Sequence, residues 1–244
     1  MIKTCYLTII LLLVCSNLLL AQAPAWGGGA DQNDQSFGFS FSYISSYFKI
    51  VKKPGWRAPY FDPGVNKTIT DSLSSITSKP QQGFAIGLLT RYRLTDHLEA
   101  RFTPSLVFGD RSLTYTYPTA SQNVTKTVQP TIADLPLLIK LKSDRIQDFR
   151  AYLIGGVKYS LAIGKGVVDP PDIDPLQKTI KNRAGYGSYE IGLGCDIYFE
   201  FFKLSPEIKL SNSFGNILVP EDQPFSSPIS KLSLHTIMFS LIFE

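Results

Sequence analysis

The chain has only two imidazoles, His97 and His235, so acid–base chemistry near neutral pH would have to start from one of them. Acyl transfer or lipid hydrolysis needs such a histidine aligned with a serine or an acid. His97 follows Asp96 in the short polar run Thr95-Asp96-His97, which reads as a turn. His235 falls on the apolar face of the alternating run 231–243. Neither has a convincing catalytic partner, and we expect no catalytic residues. Cys195 and two distant histidines do not make a transition-metal site. Asp169, Asp172 and Asp174 could hold a hard cation, but the loop lacks the glycine and final glutamate of an EF-hand, so a solvated loop is expected. Gly164-Lys-Gly166 and Gly192-Leu-Gly194 resemble phosphate loops, yet no helix follows either to supply a dipole. Asn66-Lys-Thr68 and Asn123-Val-Thr125 match a glycosylation pattern and carry little weight. No cofactor, metal or small-molecule substrate is expected.

The remaining charges have a different regularity. They alternate with apolar residues at a period of two, the mark of strands with unlike faces. Eight such segments run from Ser36 onward. The first sets Phe37, Phe39, Phe41 and Tyr43 against Gly38, Ser40 and Ser42. The second, near 82–93, sets Phe84, Ile86, Leu88 and Tyr92 against Arg91 and Arg93. The third, near 98–109, sets Leu98, Phe102, Leu106 and Phe108 against Glu99 and Arg101. The fourth, near 126–142, sets Leu135, Leu137, Ile139 and Leu141 against Asp134, Lys140 and Lys142. The fifth, near 149–161, sets Phe149, Leu153, Val157 and Tyr159 against Arg150, Tyr152 and Lys158. The sixth, near 186–199, sets Tyr189, Ile191, Leu193, Cys195 and Ile197 against Glu190 and Asp196. The seventh, near 202–213, sets Phe202, Leu204, Ile208 and Leu210 against Lys203, Glu207 and Lys209. The eighth, 231–243, carries Ile237, Phe239, Leu241 and Phe243 on one face, with an aromatic one residue from the end of the sequence.

Connections between segments alternate in length. Those at Thr95-Asp96-His97, at 143–148 and near Glu200-Phe201 are tight, whereas 51–81, 110–123, 163–185 and 215–230 are long and polar. Short turns on one side and long loops on the other are the asymmetry of outer-membrane barrels, whose strands need about 10 residues to cross. The expected fold is all-β: an eight-stranded antiparallel up-and-down transmembrane β-barrel with a filled interior, both termini on the periplasmic side. A soluble periplasmic barrel would show the same alternation with the faces reversed. Aromatics near the strand ends, Gly and Ser interleaved with the charges, and the aromatic last strand favour the membrane form. Pro104, Pro136 and Pro206 fall inside strands, where each removes a ladder hydrogen bond unless it marks a bulge.

An eight-stranded barrel is just wide enough for side chains to fill. The inward charges should therefore pair, because unpaired buried charge is costly. We expect a structural network of Arg91, Arg93, Glu99, Arg101, Asp134, Lys140, Arg150, Lys158, Glu190, Asp196 and Glu207, with Lys142, Lys203 and Lys209 beside it. Bases outnumber acids in this set, and the excess should sit near the barrel ends. Gly192 and Gly194 would make space for long neighbours such as Arg or Tyr.

Residues 1–21 read as a signal peptide, with Lys3 as the basic region, Tyr6 to Leu20 as the apolar core and Ala21-Gln22-Ala23 as the cleavage region. Cleavage after Ala21 is preferred, because cutting after Ala23 would leave Pro24 just past the cut. Val14 stands where a lipoprotein signal would place a small residue before Cys15. Residues 22–35 read as a flexible periplasmic arm, and 36–244 as the barrel domain. Removing Lys3 takes the net charge from +4 to +3, too weak a balance to indicate nucleic-acid binding. Only Cys195 would remain, so no internal disulfide is expected.

Several stretches resemble the PorT family. Asp134-Leu-Pro-Leu-Leu-Ile-Lys140 followed by Leu-Lys-Ser143 is similar to its fourth strand, and Tyr152-Leu-Ile-Gly-Gly-Val-Lys-Tyr159 to its fifth. The run from Gly192 to Lys209 is similar to its sixth and seventh strands, although Cys195 is unexpected there. Arg101 to Phe108 fits the third. The resemblance implies a non-enzymatic outer-membrane component of the type IX secretion system of Bacteroidetes, which exports proteins carrying a C-terminal secretion domain and supports gliding in some species. The implied partners are outer-membrane lipid and other secretion-system proteins. Trp56, Arg57, Tyr60 and Phe61, beside Lys52 and Lys53, mark a candidate interaction loop, since aromatics with Arg are enriched at interface anchors. An adhesin-like barrel gripping a ligand with its long loops is the main alternative, and a lipid-modifying enzyme a weaker one.

Overall fold

The computed structural model describes residues 33–64, 66–128, 131–164, 170 and 173–244. The expected signal peptide and most of the arm lie outside the described residues, as do Asp169 and Asp172 of the acidic loop and the Lys-Gly of Gly164-Lys-Gly166.

Fourteen strands follow in chain order: β1 (Gln35–Lys52), β2 (Tyr60–Asp62), β3 (Lys67–Thr70), β4 (Ser75–Thr77), β5 (Gln81–Arg93), β6 (Leu98–Phe102), β7 (Ser105–Gly109), β8 (Arg111–Thr116), β9 (Val124–Val128), β10 (Thr131–Lys142), β11 (Phe149–Ile163), β12 (Gly185–Tyr198), β13 (Lys203–Ser213) and β14 (Ile229–Phe243). All main pairings are antiparallel. β5 pairs with β1 on one side and with β6 and β7 on the other, and β10 follows. β11, β12, β13 and β14 succeed it, and β14 pairs back onto β1. With β6 and β7 as two halves of one strand, this is a closed ring of eight, which leaves no open sheet edge.

In the lower barrel the apolar face of each wall points away from the axis. Phe37, Leu88, Leu137, Leu153, Ile191 and Leu193 are each more than half exposed. Aromatics gather at two heights. Phe39, Phe243, Phe202 and Phe199 follow one another at the short-turn end, their adjacent rings 4.7–6.3 Å apart. Phe41, Phe84 and Phe108, with Tyr189 and Phe214 elsewhere on the ring, lie toward the long loops. On β1 the belt runs from Phe37 to Tyr47, which at ~3.3 Å per residue and a tilt near 40° gives roughly 25 Å, the height of a lipid-facing band.

The prolines coincide with gaps in the ladder. Pro104 separates β6 from β7, and pairing to β10 skips from Asp134↔Ser105 to Leu137↔Phe102, leaving Pro136 in the gap. Pro206 borders a similar skip, between Gly194↔Glu207 and Ile197↔Leu204. Missing N–H groups are thereby placed where the ladder already lapses.

Three expectations need correction, two at the long-loop end and one at the short-turn end. Region 110–123 is not a plain loop: its first half is β8, which pairs with β9 and with β4 in a separate three-stranded sheet. The expected fourth strand, 126–142, is really β9 and β10 in succession. The arm ends one residue early, since β1 starts at Gln35 and Asp34 is fixed by Arg93, whose N–H donates to the Asp34 carbonyl at 2.7 Å. The long loops fold into a crown because their inward residues are apolar. Leu73, Ile76, Leu113, Tyr115, Ile217, Leu218 and Phe225 are buried against Ile44, Phe48, Leu232, Leu234 and Met238 of the wall. Tyr115 donates to the Phe225 carbonyl at 2.6 Å and meets its ring edge-on.

An arginine or lysine replacing Leu193, in the middle of the belt, should cost about 2–4 kcal/mol of folding free energy in a bilayer. Urea titration of the chain folded into lipid vesicles measures this, with Leu176→Arg in the crown as a control expected near zero.

Candidate functional site: the charged lumen and its crown

Inward residues of the lower barrel come from alternate positions on all eight walls, so the strand period alone brings their charges together. At the short-turn end, Glu244 contacts Arg91 and Ser36, and Lys203 Nζ lies 3.0 Å from its carboxylate. Arg91 Nη1 also reaches Glu99 at 3.2 Å, and Lys142 pairs with the same carboxylate. Lys140 Nζ donates to both oxygens of Asp196, at 2.6 and 2.8 Å, while Ser205 donates to Asp196 at 2.6 Å. Higher up, Arg101 meets Glu207 at 2.8 Å and Lys209 meets it at 3.0 Å. Lys158 bridges Glu190 at 2.8 Å and Asp134 at 2.9 Å, and Ser160 donates to Asp134 at 2.6 Å.

Tyr152 joins the two halves of this network. Its hydroxyl donates to Glu207 at 3.0 Å, and its ring lies under the Lys140 ammonium at 3.9 Å. Space for it comes from Gly194 on the adjacent strand, where a Cβ would stand 2.6 Å from the Tyr152 hydroxyl. Gly192 likewise clears the Lys209 stem, which a Cβ would approach to 2.6 Å.

Two residues of the expected network lie elsewhere. Arg93 is at the rim, pairing with Asp34 at 2.8 Å. Arg150 donates to the carbonyls of Ser143 at 2.7 Å and Asp96 at 3.0 Å. Both sit where a strand meets the short-turn rim, and inward parity there no longer means the lumen. The structure brings the other nine together. It adds Glu244, which sequence reasoning missed although it continues the inward parity of β14. With Lys142, Lys203 and Lys209 included, the paired network among the described residues sets seven buried bases against six buried acids, Arg111 lying above it. The expected excess of base is largely the two rim arginines.

The lumen is filled. Two voids of about 20 Å³ each, room for about a water apiece, border Asp134 and Lys158. Above them the filling is apolar rather than ionic. Arg111, a buried guanidinium at the foot of β8, borders the same upper void.

In the candidate interaction loop, Trp56 packs partly against the apolar crown core, with Lys52 Nζ 3.9 Å and the Arg57 guanidinium 5.0 Å from its ring. Tyr60 donates to Asp222 at 3.2 Å, and its hydroxyl is pushed up to about 12 by burial and by the Asp222 carboxylate. Phe61 is half exposed. The loop is therefore mostly occupied by its own packing. His97 lies 3.8 Å from the exposed Asp144, and His235 Nδ1 lies 2.7 Å from Asn212 on the outer wall. Among the described residues no cluster of three His, Cys, Asp or Glu side chains could hold a metal.

A family model described as an outer membrane protein beta-barrel domain matches residues 32–219. Among solved structures, the chain is similar to the outer membrane protein OprG of Pseudomonas aeruginosa, at 11% identity and a TM-score of 0.47, covering 86% of this chain and 93% of that one. It is also similar to Neisserial surface protein A, at 9% identity and a TM-score of 0.40, covering 86% and 98%. A search of curated proteins finds no match.

Glu207→Gln removes a charge shared by Arg101 and Lys209 and should destabilise the barrel by about 3–5 kcal/mol. Gly194→Val should destabilise through Tyr152, and Tyr152→Ala in the same chain should recover part of the loss. Loss of heat-resistant migration on gels, followed against urea, reads both.

Proposed function

Because the chain belongs to the outer-membrane protein β-barrel domain family, we propose that it is a non-enzymatic outer-membrane component of the type IX secretion system, with both ends of the barrel chain on the periplasmic side. The observation that carries this reading is the filled lumen. A barrel packed with ion pairs below and an apolar core above passes no folded cargo, so its part in export must be played by contacts at its surfaces. The PorT-like stretches coincide with β6, β7, β10, β11, β12 and β13, the walls that supply most of the lumen charges. Asp34 and Glu244 both lie at the short-turn end, which suits a chain delivered from the periplasm. Its partners would be other proteins of the secretion machinery, met through the crown, the outer wall or the periplasmic rim.

An adhesin-like reading has one observation in its favour. The crown holds an open pocket of about 290 Å³ among Ile69, Asp71, Tyr117, Gln122 and Leu176, of a size for a small exposed group. Deleting the gene should abolish export of proteins bearing the C-terminal secretion domain, and the gene in trans should restore it. Normal export in the deletion strain ends the secretion reading. Trimming 163–185 should leave export intact; loss of surface binding with intact export would favour the adhesin.

A further inference from the structure

The outer wall carries a second charge cluster that neither the lumen nor the crown uses. Across β13, β14 and β1 the lipid belt ends on one row, Asn212, His235 and Tyr47, which are direct register partners. Below that row the outward residues are Leu210, Ile237, Ile208, Phe239 and Tyr43, apolar or aromatic, with Ser45 the polar exception. The row is closed by His235 Nδ1 2.7 Å from Asn212 Oδ1 and by the Tyr47 and His235 rings, 5.0 Å between centroids.

Above it the outward positions mix cations with other residues: Lys49 pairs with Ser233, Lys231 pairs with the exposed Val51, and Phe214 follows Asn212. Lys49 is two residues beyond Tyr47, and its ammonium donates to Asn212 Oδ1 at 3.2 Å. Lys231 stands on β14, paired with Val51 and so diagonal to Lys49. Lys53 continues the outward parity of β1, held by its N–H on the Pro228 carbonyl at 3.0 Å. All three are exposed, and none forms an ion pair with a described carboxylate. The acids of the neighbouring loop are engaged elsewhere: Glu221 pairs with Lys181 at 2.8 Å, and Asp222 accepts from Tyr60 and Ser227.

We propose that this sector of wall binds the phosphoryl headgroup of a membrane glycolipid in the leaflet at the long-loop end, through Lys49, Lys53 and Lys231. Height selects the ligand class. A headgroup phosphate lies just outside the acyl region, level with a cation one or two residues beyond the last apolar row, while its chains lie on the belt below. Basic pockets at that level attract anionic headgroups, each lysine contributing about fivefold in affinity. The uncompensated charge is explained because its counter-ion is lipid. The inference rests on membrane insertion and is independent of the secretion reading.

The test uses the full barrel in nonionic detergent, titrated with bisphosphorylated lipid A, the same lipid after phosphatase treatment, and inorganic phosphate. The wild type should bind the phosphorylated lipid, lose most of that affinity for the dephosphorylated one, and keep the lipid in millimolar inorganic phosphate. Lys49→Ala/Lys231→Ala should weaken binding on the order of thirty-fold. Lys67→Ala/Lys126→Ala, equal in charge and placed on β3 and β9 of the crown, should change it less than twofold. Unaltered heat-modifiable migration shows that each variant is folded. Equal loss in both double variants, retained affinity in the first, indifference to the lipid phosphates, or displacement by inorganic phosphate would each overturn the proposal.

Discussion

A charge enclosed in a narrow ring has no bulk water to fall back on, and the rest of this structure depends on that constraint. Burying an ion costs several kcal/mol unless an opposite charge and further hydrogen bonds replace its hydration. The lower lumen meets this by sharing. Glu99 serves Arg91 and Lys142, Glu207 serves Arg101 and Lys209, and Lys158 spans Glu190 and Asp134. Each shared ion comes from a different wall, so the pairs act as cross-braces and reject a strand slipped by one residue, which would move every charge into lipid.

The upper lumen solves the same problem by holding almost no charge, the buried guanidinium of Arg111 apart. There the inward positions are Ile44, Phe48, Leu232, Leu234 and Met238, and the crown supplies Tyr115, Ile217 and Phe225 to cover them. The two fillings meet at the water-sized voids beside Lys158 and Asp134. A polar core alone would invite water through the mouth; an apolar one alone would leave register weakly specified. Stacked, they leave a wall held from inside along its whole height.

The period of two made the ring, its eight walls and the direction of each apolar face legible, because lipid and lumen impose opposite demands on successive residues. The members of the network were legible for the same reason. The rim was not. Arg93 and Arg150 keep inward parity, but parity does not reveal where the lumen ends. Glu244 keeps the inward parity of β14 but follows the outward Phe243 at the rim, where parity alone does not separate lumen from water. The crown was missed because 110–123 reads as polar, although Leu113 and Tyr115 alternate within it as a strand should. The available signal was the inward parity of β1 and β14, which turns apolar at Ile44, Phe48 and Ile50 and at Leu232, Leu234 and Met238: an inward apolar run must be covered from inside.

A cylinder braced in this way has little freedom to open, since parting any wall other than β1 strands ions from two others. Conduction would require several buried pairs to separate together, each at a cost of kcal/mol. Surface contact requires none of that. What the chain offers other molecules is therefore what the filling leaves outside: a crown, a belt of aromatics and aliphatics, a short-turn rim clamped by Arg93 and Arg150, and a basic sector where β1 and β14 leave the lipid. Rigidity suits that use, because a surface that is already ordered loses little conformational entropy when a partner or a headgroup settles on it.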